Sequence, residues 1–97
     1  MYQRLTLLLI REGRLDNVIH ALRNQAVPAL EALPGCGRMS ILIEDGADRI
    51  MFISEWDSYD HAMNVTDAKY RVEALHRIEP DLMSPPETRI YRVAVRT

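Results

Sequence analysis

The chain predicts an α+β fold of order βαββαβ, a four-stranded antiparallel sheet with helices packed on one face. Two observations point there. The middle of the chain reads helix, stop, strand, turn, strand, cap, helix. The stop is Leu33-Pro34-Gly35-Cys36 and the cap lies in Glu55-Trp56-Asp57-Ser58. An apolar strand opens the chain and an alternating strand closes it.

Each element has a local cause. Tyr2–Ile10 is a strand, and Leu5 to Ile10 leave it apolar on both faces. Glu12-Gly13-Arg14 turns the chain. Leu15–Leu33 reads as a helix with Leu15, Ile19, Leu22, Ala26, Ala29 and Leu33 on one side at spacings of three and four. Pro28 lies inside it, removes the hydrogen bond to the Asn24 carbonyl and should kink or interrupt it. Arg38–Glu44 alternates Met39, Ile41 and Ile43 with more polar positions. Asp45-Gly46 starts a tight hairpin, and Arg49–Trp56 returns. Ser58–Asn64 is a short helix, capped by Asp57 or Ser58. Thr66 caps a longer one, Asp67–Leu82, which Ser84-Pro85-Pro86 breaks. Thr88–Val95 is the last strand.

Helices on one face leave the other open, yet the first strand is apolar on both. An uncovered apolar sheet face is an association site. Two sheets packed face to face in a twofold homodimer are the economical solution.

Composition narrows the function. Ninety-seven residues make one domain, residues 1–97, with 47% hydrophobic and 27% charged content. The net charge of −2 has both signs mixed, and no basic stripe marks a nucleic-acid surface. No apolar run is long enough to span a membrane. One cysteine, Cys36, cannot make an internal disulfide, so a reducing cytoplasm is expected. A Gly-rich phosphate loop, a CxxC and a His cluster with ligand spacing are all missing, so the motifs give no signal for a phosphate-bearing cofactor or a metal.

Several phrases in order then resemble the antibiotic biosynthesis monooxygenase family. They are Val27-Pro28-Ala29-Leu30 inside the first helix, LPGC at 33–36, FISEWDS at 52–58 and PPETRIYRV at 85–93. The resemblance runs from about Tyr2 to Val95. It implies a ferredoxin-like domain that pairs into a dimeric α/β barrel. It also implies a cofactor-independent monooxygenase acting on a phenolic, polyketide- or quinol-like substrate with dioxygen. In that chemistry a base removes a phenolic proton, donors hold the anion, and a dry pocket keeps it beside dioxygen. Related proteins degrade haem with an asparagine on the first strand and a tryptophan and a histidine in the second helical region. Here Thr6 takes the asparagine position, the tryptophan position falls at or next to Met63, and His76 is only near the haem-ligand position, so haem degradation ranks low. The alternatives are an isomerase or lyase on a small metabolite and a non-catalytic dimeric ligand-binding module.

The candidate site follows. The catalytic candidates are His76, Trp56 and Asn64. His76, with a near-neutral pKa, is a base if it points along the helix–sheet cleft. Trp56, at the strand-to-helix junction, reads first as a packing plug and second as an indole donor to a substrate oxygen. Asn64 and His61 share a face at i, i+3 and form a polar rim. Thr6, the only small polar residue inside the first strand, Tyr70 and Met63 join His61 as substrate-binding candidates. Cys36 reads as a packing residue before a nucleophile.

Overall fold

The computed structural model describes the backbone at residues 1–65 and 69–97 and the side chains at 1–65 and 73–97. The Tyr70 side chain and the expected cap Thr66 lie outside what is described. The elements are β1 (Tyr2–Leu9), α1 (Leu15–Ala21), a π-helical turn (Leu22–Ala26), α2 (Val27–Glu31), β2 (Cys36–Ile43), β3 (Arg49–Trp56), α3 (Tyr59–Asn64), α4 (Lys69–Ile78) and β4 (Glu87–Arg92). All sheet pairings are antiparallel, in the order β2-β3-β1-β4. This is the ferredoxin-like α+β arrangement.

The long first helix is where sequence and structure differ most. Pro28 cannot donate to the Asn24 carbonyl, and the backbone absorbs this upstream. The Val27 N–H reaches back five residues to the Leu22 carbonyl, which makes Leu22–Ala26 a π turn. Pro28 then sits in the first turn of α2, where its missing donor does no harm. The extra residue resets the phase of the apolar stripe. The fully buried side chains are Val18, Leu22, Ala26 and Leu30, spaced by four; Leu22 and Ala26 belong to the expected stripe, while Leu15, Ile19 and Leu33 are only partly buried against the core.

Smaller differences have equally local reasons. β2 begins at Cys36 because a bulge between Cys36 and Met39 lets the chain pair earlier. The hairpin is longer than a two-residue turn, with Glu44 N–H bonded to the Arg49 carbonyl and Ala47 N–H to the Glu44 carbonyl. Ser58 is the cap of α3, its Oγ accepting from the His61 N–H at 3.1 Å. The second long helix stops at Ile78 rather than Leu82, since Pro80 forces a 3-10 turn over Glu79–Asp81. β4 ends at Arg92, although the Val93 N–H still bonds to the Met1 carbonyl.

Register defines two sheet faces. Arg4 opposes Ser54, Thr6 opposes Phe52, Leu8 opposes Ile50 and Tyr2 opposes Trp56, all on the inner face. Leu8, Ile50, Phe52 and Trp56 form the core there with Val18, Leu22, Leu30, Val65 and Ile78. The outer face carries Leu5, Leu7, Leu9, Met51 and Ile53, none of them fully buried, with Leu42 50% exposed beside them. The doubly apolar first strand is therefore real, and its outer half is uncovered in one chain.

Candidate functional site

A cavity of about 60 Å³ lies between the inner sheet face and the helices. β1 contributes Arg4, Thr6 and Leu8, and β3 contributes Phe52 and Ser54. These come together because alternate strand residues share a face. Leu22, Ala26 and Leu30 close the opposite wall, and Ala74, Leu75 and Ile78 of α4 close one side. The π turn matters here. A four-residue spacing drifts by about 40° per step on a plain α-helix, and the wider turn holds the three side chains more nearly in line.

The volume admits a few water molecules and falls short of an aromatic ring, which needs a cavity of about 150 Å³. Leu75 separates this cavity from an open groove of about 420 Å³ outside α4, lined by His76, Glu79, Leu82, Met83 and Ser84 to Pro86. Leu75 belongs to both walls. Rotation of that one side chain is the simplest way to admit a larger ligand.

The polar groups of the wall are few and buried. Arg4 is 4% exposed, and its Nη1 donates to the Ala62 carbonyl at 3.0 Å, tying β1 to α3. Ser54 is 3% exposed and accepts a 2.9 Å hydrogen bond from Trp56 Nε1. Thr6 and Thr88, cross-strand partners, share a 3.0 Å hydroxyl–hydroxyl bond. A guanidinium and hydroxyls in an apolar enclosure suit a ligand with one oxygen-bearing end and an apolar body.

Of the described residues expected from sequence, Thr6 alone lines this cavity. Trp56 is fully buried beside it, its indole N–H already given to Ser54. His76 is largely exposed in the outer groove, 3.6 Å from Glu79. His61 pairs with Asp57 near the start of α3, and this hydrogen bond holds the Asp57 carboxyl below the usual carboxylate range. Met63 and Asn64 are exposed on α3. Sequence reading missed Arg4 and Ser54. The signal existed, since Arg4 lies two residues from Thr6 and Ser54 two from Trp56, which places each pair on one strand face. Burial pushes the Cys36 thiol up, with Glu31 adding to the effect, so the group is poorly suited to thiolate chemistry. Among the described residues, no three His, Cys, Asp or Glu side chains come together as a metal ion would need.

A profile of the antibiotic biosynthesis monooxygenase family matches residues 1–76, from β1 through most of α4. The chain belongs to that family. The match covers Arg4, Thr6, Ser54 and Leu75 of the cavity wall. Solved structures agree on the fold of this antibiotic biosynthesis monooxygenase relative. A candidate antibiotic biosynthesis monooxygenase from Nitrosomonas europaea superposes with a TM-score of 0.85 at 14% identity, covering 98% of this chain and 100% of that one. Its counterpart from Bordetella bronchiseptica gives 0.85 at 18% identity, with 97% of each chain covered. Rv0793 from Mycobacterium tuberculosis gives 0.82 at 9% identity, covering 98% and 96%. At these identities the likeness is one of fold. No curated protein matches the sequence. No helix among the described residues is long and apolar enough to cross a membrane.

Proposed function

We propose that this chain is a small monooxygenase that oxidises an electron-rich phenolic substrate with dioxygen and needs no resident metal or flavin. The observation that carries the reading is the apolar cavity with its buried guanidinium and hydroxyl groups, in a chain of a monooxygenase family, and a ring enters it by rotation of Leu75 toward the outer groove. Leu8, Leu22, Leu30 and Phe52 keep bulk water from the reacting carbon. Arg4 stays charged at any working pH, and a cation in an apolar wall favours the ionised form of a bound phenol or enol. For an anthrone-type substrate, the carbanion carbon adds dioxygen to give a peroxide. The O–O bond then breaks as the second C–H proton is lost, water departs and the ring carbon becomes a carbonyl. One dioxygen is reduced to water plus the new quinone oxygen.

Oxygen-electrode measurements with an anthrone test this. We expect dioxygen uptake equimolar with quinone formation and insensitive to chelators. Turnover that persists unchanged under nitrogen eliminates the oxygenase reading.

The working form is proposed to be a homodimer with the outer sheet faces packed together. The uncovered row of Leu5, Leu7, Met51 and Ile53 supports it. Light scattering should give twice the chain mass at micromolar concentration. Leu7→Arg or Ile53→Arg should shift it to the monomer, since an unpaired charge buried at an interface is costly. A monomeric mass for the unsubstituted chain overturns the proposal. The lone thiol fits a reducing cytoplasm.

A further inference from the structure

Trp56 and Ser54 form a buried two-member relay that ends at the cavity. An indole nitrogen can only donate a hydrogen bond. The 2.9 Å bond between Trp56 Nε1 and Ser54 Oγ therefore uses the serine as acceptor, and the serine's own proton is left over. Ser54 is 3% exposed, and its side chain makes no other hydrogen bond among the described residues. Its hydroxyl lies in the cavity wall. A buried donor with no acceptor is unfavourable, and the cavity is where an acceptor can be supplied.

The neighbours point the same way. Arg4 faces Ser54 directly across the β1–β3 pairing, and Thr6 is one pair further along the same face. The Thr6 and Thr88 hydroxyls bring two protons to one mutual bond, so one proton remains to donate elsewhere. A guanidinium donates and never accepts. This corner of the cavity is therefore built of hydrogen-bond donors.

We propose that Ser54 is a ligand-binding residue whose hydroxyl donates to an acceptor oxygen of the substrate, a phenolate or a ring carbonyl. Trp56 is the positioning residue that occupies the serine's lone pair and so fixes where its proton points. The inference rests on the cavity being the substrate site, as proposed above. It narrows the substrate to one that enters oxygen end first.

The probes are 4-nitrophenolate and nitrobenzene, which share a ring and differ by the oxyanion. The chain has one tryptophan, so its single indole N–H resonance reports on the relay. An acceptor on Ser54 polarises the Trp56–Ser54 bond and should shift that resonance downfield. Nitrophenolate should bind about tenfold more tightly than nitrobenzene, as a hydrogen bond to a charged oxygen implies. Ser54→Ala should abolish this preference and Ser54→Thr should restore it. Trp56→Phe keeps an aromatic ring there, loses the N–H and should narrow the preference while nitrobenzene binding persists. A merely structural role would move both affinities together and leave their ratio alone. Equal binding of the two probes, or a preference that survives Ser54→Ala, overturns the donor role and leaves the cavity as an aromatic site. Binding of neither probe overturns the site itself and the inference with it.

Discussion

Replacing Trp56 with alanine lowers the thermal unfolding midpoint by about 12 °C or more. The residue is the largest fully buried side chain in the protein. Truncating such an aromatic costs about 3–5 kcal/mol through lost transfer energy and the cavity left behind. A domain of this size has about 5–15 kcal/mol in total, and each kcal/mol shifts the midpoint by about 4–8 °C. The loss here also strips Ser54 of its donor, which leaves a second buried group without its bond. Circular dichroism or calorimetry reads the effect directly. A shift below about 4 °C would mean that the Tyr2 end of the sheet collapses over the gap, and the packing role of Trp56 would be refuted.

Gly35→Ala should destabilise the protein more than the same change at Gly46, by about 1–2 kcal/mol. The comparison is controlled by the backbone. Gly35 and Gly46 have φ of +79° and +82°, so both substitutions carry the same left-handed strain. Around Gly46 nothing lies within 4 Å of the added carbon, whereas at Gly35 it would land on the Asp57 carboxylate and the His61 imidazole. Asp57 N–H also bonds to the Gly35 carbonyl at 3.0 Å, so the clash falls on the contact that joins the end of the first helical region to the start of α3. The extra cost reflects the overpacking of a close approach. Urea unfolding of the two variants measures the difference. Equal costs would show that the Asp57–His61 pair moves aside freely.

Much of this fold was legible because its boundaries are local. Pro34-Gly35, Ser58 and the alternation of Arg49–Trp56 each act within a few residues, and all of them end or start an element in the structure. The two apolar faces of β1 were also readable, since Leu5 to Leu9 alternate across the sheet. The π turn was not. Pro28 announces a missing hydrogen bond, but where the backbone absorbs it depends on packing against the sheet. The site was read less well for a related reason. Spacing puts Arg4 on the Thr6 face but not inside the core, where its guanidinium is met by the Ala62 carbonyl arriving from α3 to accept a hydrogen bond. His76 faces outward because the rotation of α4 is set by Ala74, Leu75 and Ile78 against the cavity, which helical spacing alone does not decide.

The π turn ties the shape of the cavity to a count of residues. Removing one residue between Leu22 and Ala26 would return the segment to a regular α-helix with its side-chain chemistry almost unchanged. The bulge that widens the wall at Leu22 and Ala26 would be lost while the helix after it kept its phase, and Pro28 would fall in the middle of a regular helix that cannot hold it. The dimensions of the cavity are thus encoded by an insertion in the backbone. Two members of this family with the same wall residues but a different number of residues in this turn would enclose different volumes and select different ligands.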